Sequence, residues 1–212
     1  MPRTHQCRLG LLLAALLVSA SCDDPAQPGK NQGKVIAANL LCSCRPTHIT
    51  KDDWRIEFKN GSLPQGQQQE VTIAAILQWR QGPEPGARTP RSGLELTRCQ
   101  VQKAYLQSLF LRKSDCDLHM EVSEEPGKNA PRMIIETPGT SEYCEARSNM
   151  FEALRRKGIT LSDLNQELSP PLSVEITGVP FRDQAHPVWF ARGSEKVVTL
   201  WELHPAIAKI SP

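Results

Sequence analysis

Apolar residues follow two patterns along this chain. One is the run Leu9 to Val18, unbroken by charge; the others are short alternating or clustered segments, punctuated by Pro, Gly and charged residues. Trp54-Arg55-Ile56-Glu57-Phe58 alternates apolar with charged and meets the turn signal Asn60-Gly61, as a strand entering a hairpin would. Val71 to Trp79 is apolar and rich in β-formers, so it reads as a second strand, and the Pro- and Gly-rich stretch 81–90 as a surface loop. Residues 94–112 alternate at both ends, which predicts a long or bent strand, or two; a helix over 102–111 is the alternative, because Lys103 to Gln107 is helix-permissive. Leu118-His119-Met120-Glu121-Val122 alternates cleanly, 124–131 is a turn, and Met133 to Glu136 is a further short strand.

One helix is well marked, over about 142–157. Glu142 and Glu145 sit at its positive end, Ala146, Met150, Ala153 and Leu154 form an apolar stripe, and Arg155, Arg156 and Lys157 precede the stop at Gly158. A second short helix is expected over 161–167, ended by Pro170-Pro171, followed by strands over 172–179 and 197–210. Pro205 interrupts the last, which predicts an edge strand or a bend. From residue 94 on, three β segments, a helix and two more β segments make an α+β, mainly β chain in the order of an OB-like, partly open barrel, with the main helix between the third and fourth of these β segments. A ferredoxin-like unit would need a helix between its first two strands, for which only 94–112 is available.

The run at 9–18 is ten residues long, half of the roughly 20 a membrane-spanning helix needs. A short basic segment with Arg3 and Arg8 precedes it, and the small residues Ser19, Ala20 and Ser21 follow, which is the layout of a secretory signal peptide. Residues 1–21 are therefore expected to be removed, 22–34 to form a polar, Pro- and Gly-containing tether, and 35–212 to form a single domain with an N-terminal elaboration. Removal changes the charge: Lys plus Arg falls from 25 to 23 while Asp plus Glu stays at 23, so the mature chain is neutral where the full one is +2. A neutral chain has no long-range attraction to nucleic acid, which makes that partner class unlikely on composition.

An exported chain meets an oxidising compartment, so Cys42, Cys44, Cys99, Cys116 and Cys144 are disulfide candidates together with Cys22. If Cys22 is otherwise engaged, five remain, giving two bridges and one odd thiol; if not, three bridges are possible, and the pairing is open in both cases. Cys42-Ser43-Cys44 has no second Cys or His pair at ligand spacing, which favours disulfide partners over a metal site.

Val18-Ser19-Ala20-Ser21-Cys22 resembles the lipobox of bacterial lipoproteins, departing from it at Ser19, where Leu is commonest. The resemblance implies a lipidated Cys22 as mature N-terminus and a membrane-anchored location in the cell envelope; cleavage after Ser21 without lipid, giving a soluble periplasmic or secreted protein, is the alternative. Asp117-Leu118-His119, Ile134-Ile135-Glu136-Thr137-Pro138, Ile176 to Asp183, and Trp201-Glu202-Leu203-His204-Pro205 resemble the D-x-H, I-x-E-x-P, V-T-G-V-x-F-x-D and E-L-H-P strands of a group of exported bacterial domains with no assigned activity. That resemblance covers residues 115–210 and implies an OB-like barrel distantly similar to that of staphylococcal nuclease.

Asp117, His119 and Glu121 alternate and so share a strand face, as do Glu202 and His204; Glu136 and His186 could join them. Two imidazoles and several carboxylates converging suit a divalent metal or general acid–base work. Against this stands the ordinary polar face of a half-buried sheet, or histidines tied to backbone as structural pins. Arg132 beside Glu136 and Arg182 beside Asp183 are what a nuclease would have for phosphate, while Trp189-Phe190 and Trp201 could form an aromatic patch or part of the core. No G-x-S-x-G elbow and no phosphate-cradling Gly-rich loop occurs. The expectation is an envelope binding or interaction module for a small ligand or another envelope protein, without a resident cofactor; the competing class is a metal-dependent hydrolase of nuclease-like barrel type using Asp117, His119, Glu121, Glu202 and His204.

Overall fold

The computed structural model describes residues 33–45, 55–65, 68–82, 85–86, 88–183 and 194–211. Cys22, the signal-like segment, Trp54, His186, Trp189 and Phe190 lie outside these residues.

Six strands form one sheet: β1 (Gln68–Glu70), β2 (Arg98–Leu111), β3 (Leu118–Ser123), β4 (Arg132–Thr137), β5 (Gln166–Arg182) and β6 (Val197–Ile210). Their order is β1-β2-β3-β4-β6-β5, and β5 pairs back onto β2, so β2 to β6 close into a five-stranded barrel with β1 as an extra parallel strand beside Arg98 to Gln100. The barrel is closed rather than partly open because β2 and β5 are long enough to bend round and meet along Cys99–Leu109 and Gln166–Gly178, with register shifts that take up the curvature. Pairing is antiparallel except between β1 and β2 and between β4 and β6.

Among the described residues four α-helices accompany the sheet, α1 (Leu40–Ser43), α2 (Ile56–Lys59), α3 (Ile73–Leu77) and α4 (Cys144–Arg156). The marked helix is α4, preceded by a 3-10 turn at Ser141–Tyr143 and stopped at Gly158, whose positive φ of 73° suits glycine. Met150 and Leu154 are its apolar face against the barrel core. Inside the barrel, Val101, Leu106, Leu109, Leu118, Met120, Val122, Met133, Ile135, Val174, Ile176 and Leu203 form a continuous apolar cluster. Each such side chain contributes about 1.5–3 kcal/mol by leaving water.

Four local expectations are corrected. Within residues 71–79 the segment Ile73–Leu77 forms helix α3, capped by the Thr72 hydroxyl accepting from the Ala75 N–H, because Ile73 and Ile76 are three apart and both enter the core. Ile56–Lys59 is the helical turn α2, entered through Arg55 in the left-handed region. No helix forms over 161–167, since Leu161 and Ser162 bond to the N-terminal strap at Ile36 and Val35 and Gln166 already begins β5, which continues through Pro170-Pro171. β6 is no edge strand: it lies between β4 and β5, and the irregularity expected at Pro205 falls where its pairing with β5 shifts between Gly178 and Pro180. A Cβ at Gly178 would stand 2.9 Å from those of Ala206 and Leu203, so the crossing requires glycine.

Cys42 pairs with Cys144 and Cys44 with Cys116, leaving Cys99 buried and unpaired. The adjacent cysteines thus pin the strap 33–45 to α4 and to the β2–β3 turn. The Arg147 guanidinium, 1 % exposed, strengthens this by donating to the carbonyls of Leu41, Thr140 and Gly139.

Candidate functional site: a buried histidine–carboxylate cluster

Strand alternation puts Leu118, Met120 and Val122 inside the barrel and Asp117, His119, Glu121 and Ser123 on the opposite face. The bland expectation for that face was solvent. Instead Asp117 (3 %), His119 (2 %), Glu136 (4 %), Glu202 (1 %) and His204 (0 %) are all almost fully enclosed. Phe110 lies directly across β2–β3 from His119, with ring centroids 4.7 Å apart, and the Phe181 ring on β5 lies 6.0 Å from that of His204, tilted by 60°. α2 delivers Lys59 to the same face, and Arg91 donates to the backbone carbonyl of His204 at 3.0 Å.

The sheet register assembles the cluster. His119 and Glu136 are directly paired across β3–β4, and the His119 Nδ1 to Glu136 Oε1 distance is 2.6 Å. β4 and β6 run in parallel with Ile135 beside Leu203, so Glu136 and His204 follow in step, 2.9 Å from Oε2 to Nδ1. His204 Nδ1 also lies 3.2 Å from Glu202 Oε1, and His204 Nε2 is 3.3 Å from Asp117 Oδ2. Asp117 is itself aimed by a hydrogen bond from the Gly139 N–H at 2.8 Å. Lys59 Nζ reaches Asp183 at 3.6 Å and Glu202 at 3.7 Å. The Nε2 atoms of both histidines are buried without a hydrogen-bond partner; at His204 the Asp117 oxygen is near but off the N–H axis.

The electrostatics are strongly polarised. Burial opposes charge on His204, but Asp117, Glu136 and Glu202 outweigh it and hold the imidazolium well above the usual histidine range. Burial likewise opposes ionisation of Glu136, yet hydrogen bonds from His119 and His204 keep its carboxyl well below the usual range. Lys59 stays charged for the same reason: desolvation is exceeded by Glu202 and Asp183. At the edge of the cluster, burial and the neighbouring Asp117 and Glu136 charges push Asp115 up to about 6.

Of the residues singled out from sequence, Asp117, His119, Glu202 and His204 come together and Glu136 is their hub. Glu121 stands apart from them. It shares the face but lies two residues further along β3, where it accepts from Arg132 at 2.9 Å and from the backbone and hydroxyl of Ser194. Arg132, expected beside Glu136, is spent on Glu121 and Glu167. Trp201 is mostly buried, edge-on to Trp79, and donates to the Arg80 carbonyl. Lys59 was not anticipated. It follows directly on the alternating segment at 54–58, and nothing in that segment signals a turn of helix laid over a barrel face.

An open cavity of about 280 Å³ lies elsewhere, lined by Arg80, Gln81, Leu94, Glu95, Arg182 and Trp201 among others.

Comparison with protein-family models, with curated proteins and with solved structures returns no match.

Proposed function

We propose that this is an exported, lipid-anchored cell-envelope protein that acts by binding, and that its barrel is of the OB type. The strand order supports the OB reading: in barrel numbering it runs first, second, third, fifth, fourth and back to the first, with α4 between third and fourth. The lipobox-like segment ending at Cys22 supports the anchor, and the pairing of four of the other cysteines fits an oxidising compartment.

The observation that carries binding over catalysis is the enclosure of the histidine–carboxylate set. Its members are 0–4 % exposed and satisfied largely by one another, whereas a hydrolase needs a base and a water within reach of substrate. The open cavity is the better place for a ligand. Trp201 and Leu94 offer apolar surface, Gln81 and Arg80 polar groups, and the volume suits a small molecule or a peptide side chain.

Two measurements test this. Intact mass of the protein from a bacterial host should show a diacylglycerol-bearing Cys22 as the first residue, and Cys22→Ala should move the chain from detergent-extracted membrane to the soluble fraction. A mass equal to plain residues 22–212 removes the anchor. For the second, metal-supplemented protein is assayed on phosphodiester and ester substrates. Absence of turnover is expected; turnover that His119→Asn abolishes overturns the binding reading.

A further inference from the structure

We infer that the cluster holds one divalent transition-metal ion, of zinc or manganese type, between His204 Nε2, Asp117 and Glu136. Two observations support it, neither of which depends on the binding reading above.

The first is spacing. One ligand-capable atom from each of Asp117, Glu136 and His204 lies within 4.8 Å of the other two. Nitrogen and oxygen ligands at about 2.0–2.1 Å from a tetrahedral ion stand about 3.3 Å apart. The His204 Nε2 to Asp117 Oδ2 separation is 3.3 Å.

The second is the unmet polar atom. His204 is completely buried, yet its Nε2 has no hydrogen-bond partner, because the Asp117 oxygen beside it is off the N–H axis. Two groups that approach without hydrogen-bond alignment are what two ligands of a common ion look like. A buried nitrogen left with nothing else is destabilising. The outer partners are those metal-bound histidines have: His204 Nδ1 is held by Glu202, and the Asp117 oxygen not facing His204 by the Gly139 N–H.

The oxygen-rich, single-imidazole ligand set selects a borderline or hard ion over a thiophilic one. Glu136 would turn its Oε2, now 2.9 Å from His204 Nδ1, to the ion and keep Oε1 on His119 Nδ1, leaving Glu202 to hold His204 Nδ1. With every ligand enclosed, the ion would hold β3, β4 and β6 together rather than meet a substrate.

The test uses the full chain, stripped with chelator and dialysed. Titration with Co²⁺ should give visible d–d bands saturating at one equivalent. Zn²⁺ at a hundred times its Kd should raise the melting temperature by about 5–10 °C, the equivalent of about 2.7 kcal/mol. Asp117→Asn should weaken Co²⁺ binding more than about tenfold, and Glu121→Gln, on the same face but outside the cluster, should leave it unchanged. Absence of saturable binding by the wild-type chain overturns the inference, as does undiminished affinity in Asp117→Asn. So does a thiolate charge-transfer band in the near ultraviolet, which would move the ion to Cys99.

Discussion

Glu136 and His204 stand side by side on adjacent parallel strands, 2.9 Å apart, while the other oxygen of the same carboxylate meets His119 at 2.6 Å. One carboxylate thus ties three strands, β3, β4 and β6, on the face away from the apolar core. Removing it leaves two imidazoles enclosed without their shared acceptor. Glu136→Gln, measured in chelator so that no ion contributes, should destabilise the fold by about 3 kcal/mol, the usual cost of breaking a buried pair from one side. Urea unfolding of the variant is the check; an unchanged midpoint would mean the cluster relaxes at no cost.

Cys99 is enclosed at 1 % exposure, and burial pushes its thiol up to about 11. The thiolate is the reactive form, so alkylation at pH 8 should leave Cys99 unmodified in the native protein and label it fully in denaturant. Peptide mapping reads this directly, and native labelling at Cys99 would show that β2 opens readily.

The two disulfides tie the strap to distant points, closing sequence separations of 102 and 72 residues. Replacing Cys44 and Cys116 together by Ser should cost about 2–5 kcal/mol. It should also loosen the turn that carries Asp115 and Asp117, visible as faster amide exchange at Asp117 and Gly139.

Gly139 packs against that turn: a Cβ there would lie 2.5 Å from the Cβ of Cys116 and 2.8 Å from the Asp115 carbonyl oxygen. Backbone cannot yield as a flexible side chain does. Gly139→Ala should therefore cost about 1–3 kcal/mol and lengthen the hydrogen bond from its N–H to Asp117, reported by thermal melting and the amide chemical shift.

Glu167 is held below the ordinary carboxylate range by its hydrogen bonds to Arg132, with desolvation opposing. A carboxyl depressed in the folded state adds stability above its unfolded value, and that contribution disappears as pH falls through the folded one. The stability difference between wild type and Glu167→Gln should thus be present at pH 6 and shrink progressively below about pH 4.5. A difference that is flat from pH 7 to pH 3 would rule out the ion pair as its source.

The pattern was legible where local periodicity and packing agree. β2, β3, β4, β6 and α4 are readable because their apolar residues recur at the period of the element that buries them. The segments of α2 and α3 carry a strand-like pattern yet are helical. Ile73 and Ile76 satisfy either period over so short a span, and only docking on the finished barrel selects the helix. Of the site, the pairing of His119 with Asp117 and of Glu202 with His204 on common faces follows from alternation alone. That the face is sealed, that Glu136 joins the two histidines, that Glu121 turns away to Arg132 and Ser194, and that Lys59 closes the charge could not be read.

By itself the sequence determined the mainly β chain, its principal helix, and the odd number of cysteines between residues 42 and 144. Each depends on neighbours in the chain or on simple counting. Tertiary structure decided the closure of the barrel, the disulfide pairing, and the conversion of an ordinary polar strand face into a buried ionic cluster. Those depend on which strands meet and in what register, and residues 119, 136 and 204 become partners only when three strands from distant parts of the chain align.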